Sequence, residues 1–278
     1  NSSSQIGVEI TDVDISKPLS KDELNAIYDL WVRNAVAIFP NQKLSHAEYN
    51  DFAMQFGSFG DESFLTPMKS QIHIVELRRK ATEEAMHFGG SWHSDWSFQP
   101  SPPAATMLHS KIIPPFGGDT LFSNSALAYD EMSSEMKDKI QNLKGIHSAK
   151  LPYADNGFYA LENKKRTMKI KSSKSANKQH LHPIVREHLD TKRKSLFINP
   201  VYTIGIEGMD DMEAFEFLSE LFEHMTQDKY IYRHKWKEDM LIMWDNRSVM
   251  HMAEGGYDGY ERLMHRITIA GEAPIQSI

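Results

Sequence analysis

The chain has 278 residues, of which 40% are hydrophobic and 25% charged, and its formal net charge is −7. This acidic balance argues against a nucleic-acid partner, and no apolar run approaches the roughly 18 residues that a membrane-spanning helix needs. Cysteine is absent, which excludes disulfides, thiolate metal ligands and cysteine nucleophiles. The opening residues, NSSSQIGVEI, lack the basic and apolar regions of a secretory signal. We therefore expect a soluble, cytoplasmic protein without a nucleic-acid or membrane partner, and the composition leaves open whether it forms a homo-oligomer.

Two helix starts are marked by capping boxes, in which a serine precedes a glutamate by three positions. Ser20 with Glu23 predicts one helix, and Ser45 with Glu48 predicts a second that stops at Gly57. We expect the first helix to turn an apolar stripe inward, formed by Leu24, Ile27, Leu30 and Trp31. Short apolar stretches predict strands at 35–40 and 72–77.

Strands dominate the chain from residue 91 onward. Apolar or alternating stretches predict them at 91–98, 104–112, 119–124, 195–200, 240–245, 248–253 and 262–270. Two helices interrupt these strands, one at about 126–143 and one at about 211–225. In the second helix, apolar residues at helical spacing predict the inward face, namely Met212, Phe215, Leu218, Phe222 and Met225.

Many short strands with a few helices and no alternating βαβ rhythm predict a mainly β protein with flanking helices, built on an antiparallel double-sheet core. No change in composition marks a second domain, so we expect a single domain over 1–278. The segment at about 155–179 is rich in Lys, Ser and Asn and lacks periodicity. We interpret it as a mobile surface loop, part of which closes over the substrate as a lid.

The stretch SWHSDWSF at 91–98 sets His93 and Asp95 two residues apart among aromatic residues. On a strand, side chains two apart point the same way, so this pair suits a shared metal ion. A buried hydrogen bond between histidine and aspartate would satisfy the same two groups without a metal. A third ligand decides between the two interpretations.

Two places in the chain offer a third ligand. His180 and His182 in HLHP form one pair, but they lie beside the polar segment and precede a proline, which fits a loop edge. His251 follows the apolar strand at 240–245 and the turn after it, so it can face the pair in SWHSDWSF. Two histidines and one carboxylate with open positions are the facial triad of non-haem Fe(II) oxygenases.

Two arginines, Arg262 and Arg266, share one face of the strand predicted for YERLMHRITIA. Buried arginine stays protonated and therefore needs an anion. For Arg266, a salt bridge to Asp245 or Glu254 would meet this need. The carboxylate of a bound ligand would meet it too, since the guanidinium fork recognises carboxylates bidentately.

The order of these motifs resembles the Fe(II)/2-oxoglutarate-dependent dioxygenases of the taurine dioxygenase and 2,4-dichlorophenoxyacetate dioxygenase family. H-x-D is followed by GGDT, then by WDNR with a later histidine, then by RLMHR. The resemblance covers nearly the whole chain, from IGVEITDVDISKPLS through PPAATMLHSKIIPPFGGDTLF to LHPIVR and LFIN. It implies a double-stranded β-helix, also called a jelly roll, of cupin-like architecture. It also implies Fe(II) as cofactor, with 2-oxoglutarate and O2 as cosubstrates.

The resemblance further implies roles for six residues of this sequence. Those that match the iron ligands are His93, Asp95 and His251. Thr120 and Arg262 match the positions that hold the distal carboxylate of 2-oxoglutarate, and Arg266 matches the position that binds the substrate. The implied reaction hydroxylates a C–H bond of a small anionic substrate (sulfonate, sulfate ester, carboxylate or phosphonate), with succinate and CO2 as co-products.

Three other interpretations stay open on the sequence. An enzyme of the same fold could tailor a natural product by hydroxylation or desaturation. A metal-binding β-barrel without turnover would not need the complete set of cosubstrate positions. A metal-dependent hydrolase would need a general base near the metal, but not the pair Thr120 and Arg262.

Overall fold

Short strands are the commonest element of the chain. The structure is a computed structural model that describes residues 3–162 and 164–276, and in that part it contains fifteen strands and seven α-helices. The strands are β1 Val8–Glu9, β2 Val36–Phe39, β3 Val75–Arg79, β4 Ala105–Ile112, β5 Thr120–Asn124, β6 Lys144–Ser148, β7 Gln179–Pro183, β8 Val185–Glu187, β9 Lys194–Leu196, β10 Thr203–Ile206, β11 Ile231–His234, β12 Leu241–Asp245, β13 Val249–Ala253, β14 Arg262–Ile269 and β15 Ile275–Gln276. The helices are α1 Lys21–Asn34, α2 His46–Met54, α3 Ser125–Asp130, α4 Ser134–Ile140, α5 Lys150–Tyr153, α6 Phe158–Leu161 and α7 Asp211–Met225. The predicted mainly β chain with flanking helices is confirmed.

One large sheet and three small sheets hold these strands. The large sheet has the order β1-β2-β12-β4-β14-β3, and its neighbours are antiparallel except for β1 with β2. The small sheets have the orders β10-β6-β7, β11-β5-β13 and β15-β8-β9. No helix in the described ranges is long and apolar enough to cross a membrane.

Strand β14 separates an apolar face from a polar one. It lies inside the large sheet between β4 and β3, and all eight of its residues are buried. Ile267 and Ile269 pack with Trp31 of α1 and Phe52 of α2. Arg266 points to the opposite face and lines a cavity there. A strand buried on both faces therefore carries its charged side chains toward the interior, where they need partners.

Both predicted capping boxes are present. Ser20 Oγ accepts a hydrogen bond from the Glu23 N–H at 3.3 Å, and the Glu23 carboxylate accepts one from the Ser20 N–H at 2.8 Å. Ser45 and Glu48 repeat the arrangement at the start of α2. These bonds satisfy N–H groups that have no partner within the helix. The predicted inward stripe of α1 is wrong at Leu30, whose side chain is exposed.

The single helix predicted at about 126–143 is wrong, because the chain forms α3 and α4 there. Ser133 lies between them in an extended conformation, and its hydroxyl accepts a hydrogen bond from the Met136 N–H at 3.1 Å. The serine side chain competes in this way with the backbone carbonyl that would continue a helix.

Helix α7 matches the predicted helix, but its inward face is not the predicted one. Met212 and Phe215, both predicted to be buried, are exposed. The buried residues of α7 are Ala214, Phe217, Leu218, Leu221 and Met225. Two apolar stripes run side by side on this helix, and the buried stripe follows the i, i+3, i+4, i+7 spacing more completely.

Several buried histidines outside the candidate site are uncharged at neutral pH. Burial lowers the pKa of four of them to about 4, namely His109, His182, His234 and His265. In the unfolded chain a histidine has a pKa of about 6.5. Below that pH the unfolded state binds more protons than the native state.

We expect the free energy of unfolding to fall as the pH is lowered from 6.5 toward 4, by up to about 1.4 kcal/mol per pH unit for each of these histidines. Urea unfolding at pH 7, 6 and 5 measures the slope. The substitution His234→Gln should make the slope shallower, because it removes one of the groups that titrate. Equal free energies of unfolding at pH 7 and pH 5 would contradict the prediction.

Candidate metal and cosubstrate site

The stretch predicted as a strand at 91–98 is a bridge followed by a turn. The His93 N–H donates to the His251 carbonyl at 3.0 Å, and the His251 N–H donates back to the His93 carbonyl at 2.8 Å. The chain then turns at 95–98, with Trp96 in the left-handed region at a φ of 45°. The strand prediction is therefore wrong beyond His93. The two histidines are neighbours because of this bridge, and their rings lie 4.2 Å apart.

The turn places the Asp95 carboxylate against both imidazoles. Asp95 Oδ1 lies 3.6 Å from His93 Nε2, and Oδ2 lies 3.9 Å from His251 Nε2. Thr106 fixes the carboxylate by donating its hydroxyl to Oδ2 at 2.6 Å. One ligand atom from each of the three side chains lies within 4.8 Å of the other two, and all three residues are buried. No other group of three acidic or histidine side chains in the described residues meets this condition.

The charges of this group suit a cation. Burial and the neighbouring His93 lower the pKa of His251 to about 3, so its imidazole is neutral and has a free lone pair. His93 Nδ1 lies 2.7 Å from the Ser91 carbonyl, which can only accept, so the proton is on Nδ1 and Nε2 faces Asp95. Burial raises the pKa of Asp95, but Arg266 and the two histidines outweigh it and hold the pKa below its usual value. Two imidazoles and one carboxylate are a donor set for Fe(II).

Residues of the WDNR motif contact two of the three candidate metal ligands. The ring of Trp244 lies 4.6 Å from that of His251, and the Asn246 side chain accepts from the Asp95 N–H at 3.4 Å. Asp245 accepts from Arg247 Nε and Nη2, both at 2.9 Å. Its second oxygen also accepts from His188 Nε2 at 2.8 Å, and all three residues are buried. The motif therefore locks the turn that joins β12 to β13.

Arg262 and Thr120 face a small cavity of about 40 Å³ beside the three ligands. The Thr120 hydroxyl accepts from Trp236 Nε1 at 3.0 Å, and Arg262 Nη2 donates to the Gly118 carbonyl at 3.3 Å. Arg262 Nε is buried without a hydrogen-bond partner. Burial lowers the pKa of Arg262, and no carboxylate of the described residues lies within ion-pair distance of its guanidinium. A buried cation in this state is suited to an anionic ligand.

The glycines of GGDT allow the backbone to pass close to this arginine. Gly117 and Gly118 have φ values of +69° and +71°, which residues with a side chain rarely adopt. A Cβ atom on Gly117 would lie 2.7 Å from the backbone of Gly256, and one on Gly118 would lie 3.2 Å from Arg262 Nε. The loop therefore reaches Thr120 only with glycine at both positions.

Arg266 already has two carboxylate partners. Its Nη1 donates to Glu62 at 2.6 Å, and its Nη2 lies 3.2 Å from Asp95 Oδ1 without forming a well-aligned hydrogen bond. The guanidinium also stacks on the ring of Trp96 at 5.1 Å. Neither carboxylate considered in the sequence analysis is its partner, since Asp245 pairs with Arg247 and Glu254 pairs with Arg233. Burial raises the pKa of Glu62, and Arg266 opposes that shift.

A second cavity of about 310 Å³ opens beside the ligands, and Arg266 lies on its wall. His93 and Asp95 also line it, and the remaining lining is largely aromatic, including Phe88, Trp96, Tyr153, Phe158, Tyr159 and Tyr202. Tyr153 and Tyr202 were not identified from the sequence, because isolated tyrosines in loops and short helices carry no pattern. Phe158 and Tyr159 come from the 155–179 segment, where α6 lies.

All six residues singled out from the sequence line the 40 Å³ cavity. The alternative ligands His180 and His182 lie elsewhere, on β7, and His182 instead contacts the Gln99 carbonyl at 2.9 Å. One member of the site, Glu62, was missed. It lies in the irregular stretch between α2 and β3, where no sequence pattern points to it.

Comparison with known proteins matches residues 1–268 to the model of the taurine catabolism dioxygenase TauD, TfdA family. The chain belongs to this family. It is 31% identical to the alpha-ketoglutarate-dependent 2,4-dichlorophenoxyacetate dioxygenase of Cupriavidus pinatubonensis, over 97% of this chain and 95% of that protein. It is also 29% identical to an alkylsulfatase of Acinetobacter baylyi, over 96% and 83% of the two chains.

Solved structures agree with this assignment. The structure of AAD-2 in complex with Mn(II) and N-oxalylglycine matches with a TM-score of 0.83 at 27% identity, over 97% of this chain and 96% of that one. A putative alpha-ketoglutarate-dependent taurine dioxygenase from Burkholderia xenovorans matches with a TM-score of 0.81 at 26% identity, over 98% and 92%. The predicted enzyme class, a TauD-family dioxygenase that uses iron, 2-oxoglutarate and O2, is confirmed.

The buried ion pair between Asp245 and Arg247 leads to a prediction about the stability of the fold. Asp245→Ala should lower the free energy of unfolding by about 3–5 kcal/mol, because it leaves Arg247 buried without its main carboxylate. Asp190→Ala is the matched control: Asp190 also contacts Arg247, at 3.1 Å, but its side chain is 37% exposed. The control should cost only about 0–1 kcal/mol. Urea unfolding measures both free energies of unfolding. Equal losses in the two variants would contradict the prediction that the buried pair contributes more than the half-exposed contact.

Proposed function

We propose that this dioxygenase hydroxylates a C–H bond of a small organic substrate, with Fe(II) held by His93, Asp95 and His251. The co-products would be succinate and CO2. The observation that carries the proposal is the buried group of two imidazoles and a carboxylate, with potential ligand atoms within 4.8 Å of one another. It shares one cavity with Thr120 and Arg262, which a simple structural hydrogen bond between histidine and aspartate would not require.

The protein supplies placement and charge for the metal. Iron, when bound, would supply the redox chemistry between 2-oxoglutarate and O2. The bridge between His93 and His251 fixes the separation of the imidazoles, and Thr106 fixes the carboxylate of Asp95. Such contacts to a metal ligand orient it and raise metal affinity.

Thr120 and Arg262 would hold the distal carboxylate of 2-oxoglutarate. Arg262 has no carboxylate partner of its own among the described residues and lies in the cavity of the three ligands. The Trp236 bond to Thr120 Oγ1 leaves the hydroxyl proton of Thr120 free to donate. The solved structure of AAD-2 is a complex with Mn(II) and N-oxalylglycine, which supports a metal ion together with an anionic cosubstrate.

The prime substrate would occupy the 310 Å³ cavity. We propose that it carries an anionic group (sulfonate, sulfate ester, carboxylate or phosphonate) that faces Arg266. Arg266 lies on the wall of this cavity, and its Nη2 makes no well-aligned hydrogen bond, although Asp95 lies 3.2 Å away. Two relatives are named for acids or sulfate esters of this kind, which supports the choice. The aromatic lining would bury the rest of the molecule and exclude water.

We further propose that residues 1–278 form one domain with a jelly-roll core. Support comes from the family match over 1–268 and from the similarity to AAD-2 along almost its whole length. The 155–179 segment would serve as the lid, since Phe158 and Tyr159 stand on the wall of the larger cavity.

Replacing His93, Asp95 or His251 singly by Ala should abolish Fe(II) binding and 2-oxoglutarate-dependent succinate release, because each variant lacks one of three ligands. Equilibrium dialysis with Fe(II) under anaerobic conditions measures the first, and a panel of small organic acids as substrates measures the second. His180→Ala is the control and should retain both. Full activity in any triad variant, or loss of iron in the control, would reject the assignment of the metal site.

Arg262→Ala should raise the apparent constant for 2-oxoglutarate at least about 30-fold, since truncating one side of a buried charge pair costs about 2–5 kcal/mol. Thr120→Val removes a neutral hydrogen bond and should raise it only about 2- to 10-fold. Arg193→Ala, at an exposed ion pair with Asp130, controls for a general loss of charge. Unchanged dependence on 2-oxoglutarate in Arg262→Ala would remove Arg262 from the cosubstrate site.

A further inference from the structure

The two buried arginines of β14 have opposite electrostatic surroundings. Arg262 bonds the Gly118 carbonyl, and no carboxylate of the described residues lies within ion-pair distance of it. Arg266, four residues later on the same strand, has Glu62 at 2.6 Å and Asp95 at 3.2 Å. Both guanidinium groups reach the cavity of the candidate metal ligands. The strand therefore presents one uncompensated cation and one compensated cation.

Glu62 is held firmly in its place beside Arg266. Its carboxylate accepts hydrogen bonds from Trp96 Nε1 at 3.0 Å and from the Thr268 hydroxyl at 3.1 Å, in addition to that from Arg266. Only 7% of its side chain is exposed. Under the proposed function, the charge of Asp95 is committed to iron. Glu62 is then the carboxylate that offsets the charge of Arg266.

The cosubstrate makes this difference important. 2-Oxoglutarate and its product succinate each carry two carboxylates, and a bare buried guanidinium binds carboxylates well. The 310 Å³ cavity beside Arg266 has room for either molecule. An uncompensated Arg266 would therefore attract the cosubstrate and the co-product into the place of the prime substrate. A carboxylate next to the guanidinium opposes this, because bringing like charges together costs several kcal/mol.

We infer that Glu62 is a specificity-determining residue that excludes dicarboxylates from Arg266 and so directs 2-oxoglutarate to Arg262. This inference rests on the proposed function, since it takes Arg262 as the cosubstrate site. With Glu62 bonded to Nη1 and Asp95 3.2 Å from Nη2, Arg266 retains charge for a single polar or anionic group of the prime substrate and not for a dicarboxylate. Glu62 thereby determines how strongly the substrate cavity favours an anionic group over a neutral one.

The test counts bound 2-oxoglutarate. The Fe(II)-loaded protein is titrated anaerobically with 2-oxoglutarate in a calorimeter, and the parent should bind one equivalent per chain. Glu62→Gln keeps the size of the side chain and removes its charge, and its amide oxygen can still accept from Trp96 and Arg266. This variant should bind a second equivalent at least about ten-fold more tightly than any second binding to the parent. The double variant Glu62→Gln with Arg266→Ala should return to one equivalent.

Thr268→Val is the matched control. It removes one hydrogen bond to Glu62 without a change in charge, and it should bind one equivalent. Glu62→Ala provides the same comparison if the glutamine variant does not fold. One equivalent in both the parent and the charge-removing variant, or two in the parent, would overturn the inference alone. A parent that binds no 2-oxoglutarate would overturn the proposed function and the inference with it.

Discussion

The contact between Asp95 and Arg266 joins the loop after residue 90 to β14, an inner strand of the large sheet, and the candidate site is arranged around it. A buried carboxylate is costly unless cations and hydrogen-bond donors surround it. Here Arg266 supplies the cation and Thr106 the donor, while the two imidazoles complete the shell. Arg266 extends from β14, all of whose residues are buried, so the Asp95 carboxylate is held by a fully buried strand.

The same need for compensation explains the polar groups farther from the cavity. Asp245 is buried even more completely than Asp95, and its partners are Arg247 and His188. Both aspartates are stabilised by an arginine, a histidine and at least one further donor. The difference lies in geometry: Asp245 has its hydrogen-bonding capacity filled by protein groups, whereas the imidazoles around Asp95 lie beyond hydrogen-bonding distance. The first arrangement is a finished structural lock, and the second leaves room for a cation.

Much of the site was predictable from the sequence because its residues belong to motifs with fixed spacing. His93 and Asp95 were found through their spacing on an assumed strand, but the structure brings them together by a bridge and a turn. The two side chains are still close together, since the turn brings Asp95 Oδ1 within 3.6 Å of His93 Nε2. Glu62 could not be found, since its role depends on a contact with Arg266 across about two hundred residues of sequence.

Parts of the fold escaped prediction for local reasons. The chain forms α3 and α4 in place of one predicted helix because the Ser133 hydroxyl accepts a hydrogen bond from a backbone N–H. Hydrophobic periodicity contains no information about such a bond. On α7 two apolar stripes compete, and only the neighbouring strands decide which is buried. Capping boxes were reliable, since serine and glutamate satisfy each other within a single turn and need no partner from elsewhere in the chain.

The bridge between His93 and His251 has a consequence for how the protein responds to iron. The two segments come from distant parts of the chain, and they are joined there by hydrogen bonds, the pair between His93 and His251 and a further one from the Ala253 N–H to the Gly89 carbonyl. An ion bound by side chains from both segments would act as a removable cross-link, and its binding free energy would add to that of folding. Iron supply would then govern the lifetime of the protein as well as its chemistry, with the metal-free form the more open to proteolysis at this seam.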